Sequence, residues 1–239
     1  MGLGDLVIDA LGIRPGSVVA LVGAGGKSTL MQELHRAGST RGWRCATGTS
    51  TKVYASQADA LPGFLHSRRE GDKLVGLPPE DIDQWVREHR PDLCVIEADG
   101  ARSRRVKAPS QNEPVIPGST TLVIAVIAAD AINRVIEDVA HRPMLVAAVC
   151  GCGPYSRLTP QRACTLLNSE RGGRKHVPEG AGFAVAITRV GPRQRTDADN
   201  LTALLADVGV SVVLLERIPE PPEKDPDSVG FPLPRANRH

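Results

Sequence analysis

The chain has 239 residues and a formal net charge of +2, with 41% hydrophobic and 23% charged residues. That balance is globular, and the length suits one large domain or one domain with an appendage. Aromatic residues make up only 3%, so the core must be aliphatic; few stacking platforms and a small net charge argue against a nucleic-acid partner.

No apolar run reaches the roughly 18 residues that a membrane span requires, so no membrane partner is expected. The segment before Arg14 carries no Lys or Arg, unlike the basic start of a signal peptide. Leu6 stands where N-myristoylation wants Ser or Thr. Five cysteines, an odd count without scaffold spacing, read as reduced thiols. A cytoplasmic location is expected.

In chain order, short β-branched runs alternate with helical stretches. The runs are Ser17–Val22, Arg44–Thr47, Leu93–Ala98, Thr121–Ile127, Met144–Val149, Phe183–Thr188 and Ser211–Leu215. Most are apolar throughout, as strands buried on both faces are. Between the first two, Leu30, Met31, Leu34 and Ala37 place one apolar face on a helix over 27–41. Tyr54–Leu77 has weak periodicity and reads as an irregular insertion with room for a small hairpin. A helix is expected over 79–89, stopped before Pro91. Thr159-Pro160 reads as an N-cap with proline at the first helical position. Thr196 and Asp199 resemble a capping pair, and Gly209 a helix stop. Residues 219–239 hold six prolines at 219, 221, 222, 226, 232 and 234 and are expected to be an extended or disordered tail. Residues 1–218 should then form one three-layer α/β domain of the P-loop NTPase type, with a largely parallel sheet.

The first strand runs directly into Gly23-Ala24-Gly25-Gly26-Lys27-Ser28-Thr29 and then into a helix. Glycines let backbone N–H groups converge on an anion, and a helix N-terminus adds unpaired donors and a favourable dipole. Lys27 can reach terminal phosphates and the Ser28 hydroxyl can ligate Mg²⁺. Counting back for the usual spacing puts Leu21 at the first glycine position; the loop is shorter and resembles that of the ATP-binding Mur ligases. Thr47-Gly48-Thr49-Ser50-Thr51-Lys52 follows the second strand; its Thr51 would face the same crevice, though Ser and Thr also favour ordinary turns.

Asp92–Ile96 leads into Glu97-Ala98-Asp99-Gly100. Carboxylates at a strand's C-terminal end beside a phosphate loop hold Mg²⁺ directly or through water. The metal set is thus Ser28, Glu97 and Asp99. Arg102, Arg104, Arg105 and Lys107 follow and could meet a second anionic substrate, Lys107 foremost. Cys150-Gly151-Cys152 offers two soft ligands without a completing partner; two small residues at a strand end is the preferred reading. Cys45 and Cys94 are expected in the core. Asp130 is expected to cap the next helix, and His141 to meet carbonyls at a helix end or leave Arg142 to reach phosphate.

Glu97-Ala98-Asp99-Gly100, Lys107-Ala108-Pro109 and Glu113-Pro114-Val115-Ile116-Pro117, in that order, resemble the YqeC family of selenium-dependent hydroxylase accessory proteins. The short Gly23–Thr29 loop, Thr49–Lys52, His141-Arg142-Pro143 and Leu158-Thr159-Pro160 fit as well, so the resemblance spans about residues 16–217. It implies a P-loop fold and an accessory role in maturing molybdenum-containing hydroxylases, in selenium or cofactor handling. Where relatives tend to carry Asn-Lys-x-Asp, this chain has Thr188-Arg189-Val190-Gly191. Asn-Lys-x-Asp is the tetrapeptide that reads guanine in GTPases; its absence here argues against GTP, so ATP with Mg²⁺ is expected. Two activities remain open: an ATP-dependent NTPase or phosphotransferase, with Lys27, Glu97, Asp99 and Lys107 as its catalytic groups, or a nucleotide-dependent delivery switch with Tyr54–Leu77 as its moving part.

Overall fold

The computed structural model describes residues 2–216; the Pro-rich tail at 219–239 lies outside the described residues. The elements in order are α1 (Leu3–Ala10), β1 (Ser17–Gly23), α2 (Lys27–Thr40), β2 (Cys45–Thr49), β3 (Lys52–Tyr54), a 3₁₀ turn (Ala55–Gln57), β4 (Arg68–Glu70), β5 (Lys73–Val75), α3 (Pro79–His89) and β6 (Leu93–Glu97). There follow β7 (Val106–Lys107), β8 (Leu122–Ala128), a second 3₁₀ turn (Ala129–Ala131), α4 (Ile136–Val139), β9 (Ala140–His141), α5 (Pro143–Val149), α6 (Pro160–Asn168), β10 (Gly182–Val190), α7 (Arg195–Asp207) and β11 (Ser211–Glu216).

Six strands form one sheet in the order β11-β10-β8-β1-β6-β2, and every pairing in it is parallel. The apolar runs of β1, β6 and β8 follow from this, because each is covered on both faces. On one face Val19, Leu21, Val95 and Ile124 pack with Leu30, Met31 and Leu34 of α2 and with Val7 and Ile8 of α1. On the other, Ala20, Val22, Val123, Ala125 and Ile127 meet Leu166 of α6 and Leu201 and Leu205 of α7, while α3 covers Val18, Cys94 and Ile96 through Ile82. The fold is a three-layer α/β P-loop domain. The chain leaves β1 toward β2 and leaves β8 toward β10, so the sheet order reverses at β1/β8, where parallel α/β sheets open a crevice beyond their carboxyl ends. The phosphate loop sits there.

Four local expectations change. Met144–Val149 is the helix α5 rather than a strand: Pro143 stands at its first position, and Val146 and Ala147 are buried while Met144 and Leu145 are exposed. Cys150 and Cys152 therefore follow a helix, not a strand. The insertion is more ordered than expected: β3, β5 and β4 form an antiparallel sheet in that order, with the β4–β5 hairpin turning at Gly71 (φ +60°). Thr196 and Asp199 lie inside α7, whose N-cap is Gln194; Asp199 instead pairs with Arg195 at 3.0 Å. Asp130 caps no helix among the described residues; it pairs with Arg105 at 3.0 Å. Thr159 does cap α6, its Oγ1 accepting from Arg162 N at 3.3 Å, and Gly209 (φ +74°) does follow the end of α7.

Candidate nucleotide and metal site

Residues 23–26 leave β1 with three glycines in the left-handed region, Gly23 (φ +90°), Gly25 (φ +96°) and Gly26 (φ +133°). A Cβ on Gly25 would lie 2.6 Å from Ala128 Cβ and 2.8 Å from Arg105 O. Only glycine lets this turn press against β8 and the 105 loop. Ala24 N donates to Val126 O at 2.9 Å, and the Thr188 hydroxyl at the end of β10 bonds Gly25 O, so the turn is fixed from two neighbouring strands. The amide N–H groups of Gly25, Gly26, Lys27, Ser28 and Thr29 have no partner among the described residues. Five adjacent donors at the head of a 14-residue helix form a concentrated positive end.

Beside that turn, β6 ends on Glu97 and Asp99 follows two residues later. Lys27 Nζ bonds Gly23 O at 2.6 Å and lies 3.0 Å from Asp99 Oδ1 and 3.5 Å from Glu97 Oε1. Asp99 Oδ2 accepts from Gly23 N at 3.0 Å. The Ser28 hydroxyl donates to Glu97 Oε2 at 3.3 Å and accepts from Gln57 Nε2 at 2.7 Å. Lys27, Glu97 and Asp99 are all buried. Burial works against the Lys27 ammonium, but the attraction of Asp99 and Glu97 outweighs it and holds its pKa above the ordinary lysine value. Burial also lifts the Glu97 carboxyl above the usual range, against the pull of Lys27 and with the help of Asp99.

Lys107 extends this pair into a chain of alternating charge. Its ammonium meets Asp99 Oδ2 at 3.1 Å, Glu113 Oε2 at 2.9 Å and Gly100 O at 2.7 Å. An ammonium has three donors, and all three are spent inside the protein. Lys107 is thus a tie that orients Asp99, not the free cation for a second substrate that its sequence position suggested. Arg142 closes the far end on Glu113 at 2.5 Å. Burial alone would raise Glu113, yet hydrogen bonds from Arg142 and Lys107 prevail and bring its pKa down to about 2. Arg142 therefore reaches a carboxylate in its own chain, and His141 meets no helix carbonyl through Nδ1, which is buried without a partner; burial and the neighbouring Arg142 and Lys107 hold its pKa down.

The other expected residues fall as follows. Thr49 Oγ1 lies 3.0 Å from Glu97 O and accepts from Thr51 N at 3.1 Å, so Thr51 belongs to a turn knit to the end of β6. Arg104 bonds Asp138 O at 2.7 Å, leaving Arg102 as the exposed cation of that loop without a partner among the described residues. Cys94 is buried and its thiol pushed up to about 12 by burial, while Cys45 is half-buried. Among the described residues no group of three His, Cys, Asp or Glu converges as a metal site, which leaves Cys150 and Cys152 uncompleted. Sequence reasoning gave no role to Gln57, Glu113 or Thr188. Glu113 stood inside a recognised motif, but nothing in the sequence marks Gln57.

The residues fit a magnesium–nucleotide group. Ser28 and Glu97 bring two hard oxygens together, Asp99 Oδ1 is buried and accepts no hydrogen bond of good geometry, and Gly25 and Gly26 carry no Cβ beside their unpaired N–H groups. Among the described residues no helix is long and apolar enough to cross a membrane.

Solved chains of related outline include the hydrogenase maturation factor HypB from Archaeoglobus fulgidus (11% identity, TM-score 0.47, covering 90% of this chain and 86% of that chain). Another is in the MinC:MinD cell division complex from Aquifex aeolicus (11%, 0.49, 87% and 83%). The YqeC protein of Escherichia coli (strain K12) is 30% identical over 205 residues, covering 77% of this chain and 80% of its own length. The family described as YqeC protein matches residues 19–144, the stretch from β1 through the phosphate loop, the Glu97–Asp99 pair and Arg142, and the chain belongs to that family.

Proposed function

We propose that this chain is a Mg²⁺-requiring P-loop NTPase or phosphotransferase that takes ATP. The observation that carries the reading is the meeting of two opposed sets of groups. Five unpaired N–H donors of residues 25–29 adjoin a Ser28–Glu97–Asp99 cluster whose two carboxylates are buried and pinned by Lys27. Backbone donors suit the phosphates of a nucleotide. Lys27, already beside both carboxylates, would stabilise charge that develops on a transferring phosphoryl group. Ser28 with Glu97 and Asp99 would hold the metal, which supplies charge neutralisation of the phosphates when bound. Lys107 holds Asp99 directly and is itself held by Glu113, which Arg142 also pairs, and Thr51, in the turn after β2, would meet the nucleotide from that side.

The absence of Asn-Lys-x-Asp at 188–191 favours ATP over GTP. Family membership supports a role as an accessory factor, with a molybdenum-containing, selenium-dependent hydroxylase or its cofactor as the partner. The delivery-switch reading draws its support from one contact, the hydrogen bond from Gln57 in the insertion to Ser28.

Equilibrium binding of fluorescent ATP and GTP analogues with and without Mg²⁺, together with phosphate release, tests the reading. Mg²⁺-dependent binding that prefers ATP and weakens about 10- to 100-fold in Lys27→Ala is expected, as for loss of one partner of a buried charge pair. A chain that binds neither nucleotide would refute it.

A further inference from the structure

The Ser28 hydroxyl has one proton and two lone pairs to offer. Its proton goes to Glu97 Oε2 at 3.3 Å. One lone pair receives the Gln57 amide Nε2–H at 2.7 Å, the shorter of the two bonds. Gln57 ends the 3₁₀ turn after β3, and its side chain is fixed at both ends, because Oε1 accepts from Tyr54 N at 3.1 Å. Gln32 Nε2 of α2 also approaches Gln57 O, at 3.5 Å. The insertion therefore touches the phosphate-loop helix through Gln57, beside its other ties to the main domain, the Leu65 backbone bonds to Thr47 and Thr49 and the burial of Leu61 in the main core.

A divalent cation on Ser28 and the Gln57 N–H compete. The oxygen has a second lone pair for the cation, so the conflict is electrostatic: the amide hydrogen presents partial positive charge toward the cation. Turning the amide over would offer Oε1 instead, an oxygen acceptable to a metal shell. That turn breaks the Tyr54 N–H···Oε1 bond, which ties Gln57 to the strand β3 of the small sheet. Either response moves the insertion.

We propose that Gln57 is a positioning residue of the metal site: it holds the Ser28 hydroxyl, and the β3–β5–β4 sheet is docked on or released from the phosphate loop according to whether Ser28 ligates a divalent cation. The small sheet is suited to such motion. Its own core is only Val53, Ala55 and Leu74 with the half-buried Ala58 and Phe64, and β4 is exposed throughout. Leu61 and Leu65 anchor the 61–65 stretch to the main domain, so the part suited to open at low cost is the three short strands, with few buried contacts of their own. This inference rests on nucleotide and Mg²⁺ binding at the loop.

Hydrogen exchange of the full chain, read by mass spectrometry over residues 52–75, tests it in ATP with chelator and in Mg²⁺–ATP. Exchange of that segment should quicken at least about fivefold on adding the metal, as a local opening does. In Gln57→Ala it should be fast in both conditions, with metal-free ATP affinity within about threefold of the parent, because the backbone cradle is untouched. A purely structural role predicts that Gln57→Ala and Gln57→Glu behave alike. Gln57→Glu should instead lower the Mg²⁺ concentration needed for half-saturation by roughly threefold or more, since an added carboxylate raises ligand charge. If ATP binds but the 52–75 segment of the parent ignores the metal, or still responds in Gln57→Ala, this proposal falls alone. If no nucleotide binds, it falls together with the functional reading.

Discussion

At Glu113 two cations overcome burial, and the consequence is a pH dependence with a definite sign. Its folded pKa of about 2 lies below the ordinary glutamate value of 4.5, so on acidification the unfolded chain takes up the proton first. The stabilisation is complete above about pH 5 and is lost as pH falls toward 2, amounting to less than about 3.4 kcal/mol at 1.36 kcal/mol per pH unit because solvent screens this half-buried group. Urea unfolding should show parent and Glu113→Gln differing more at pH 7 than at pH 3, and an equal difference at both would refute the assignment. Glu97 runs the other way: its raised pKa means the folded state holds the proton more tightly, so this group alone favours the fold as pH falls. Lys27→Ala should cost stability as well as binding, about 3–5 kcal/mol if both carboxylates stayed ionised and less where Glu97 takes up a proton. Denaturation of the variant at pH 7 and pH 5 measures this, with the smaller loss expected at pH 5.

Elements bear their own tests. Thr159→Ala removes the side-chain cap of α6 and should lower stability by about 1 kcal/mol without touching nucleotide affinity, measured by urea midpoint and binding titration. Gly25→Ala meets a backbone at φ +96° and a Cβ contact with Ala128, so a loss of about 1–3 kcal/mol should come with loss of phosphate binding. Most elements were legible because their signals are local. The apolar runs of β1, β6 and β8, the face Leu30–Met31–Leu34 of α2 and Thr159-Pro160 each state their structure within a few residues. Met144–Val149 was not, because a short apolar run has no period that tells strand from helix; Pro143 at its head and the one-sided burial of Val146 and Ala147 decided it. The β3–β5–β4 sheet was hidden because its strands are three residues long and two of them, β3 and β5, bury only one residue fully, Val53 and Leu74.

Across the whole molecule, stability should be graded from the centre of the sheet outward. Amides of β1, β6 and β8 are covered by helices on both faces and should exchange only on global unfolding, whereas α1 and the insertion should exchange through local opening. Native-state exchange in low urea would show this, and equal protection throughout would contradict it. The sequence by itself determined the parallel α/β fold, the glycine cradle and the acidic pair, because strand burial, left-handed turns and helix starts are set by neighbours in the chain. Only the tertiary structure decided who meets whom at the site. Lys107 is spent on Asp99 and Glu113, Arg142 on Glu113, Thr188 on the Gly25 carbonyl, and Gln57 on Ser28. Those partners stand far apart in sequence, and their pairing comes from strand order and from the way buried charges and donors must find one another once water is excluded.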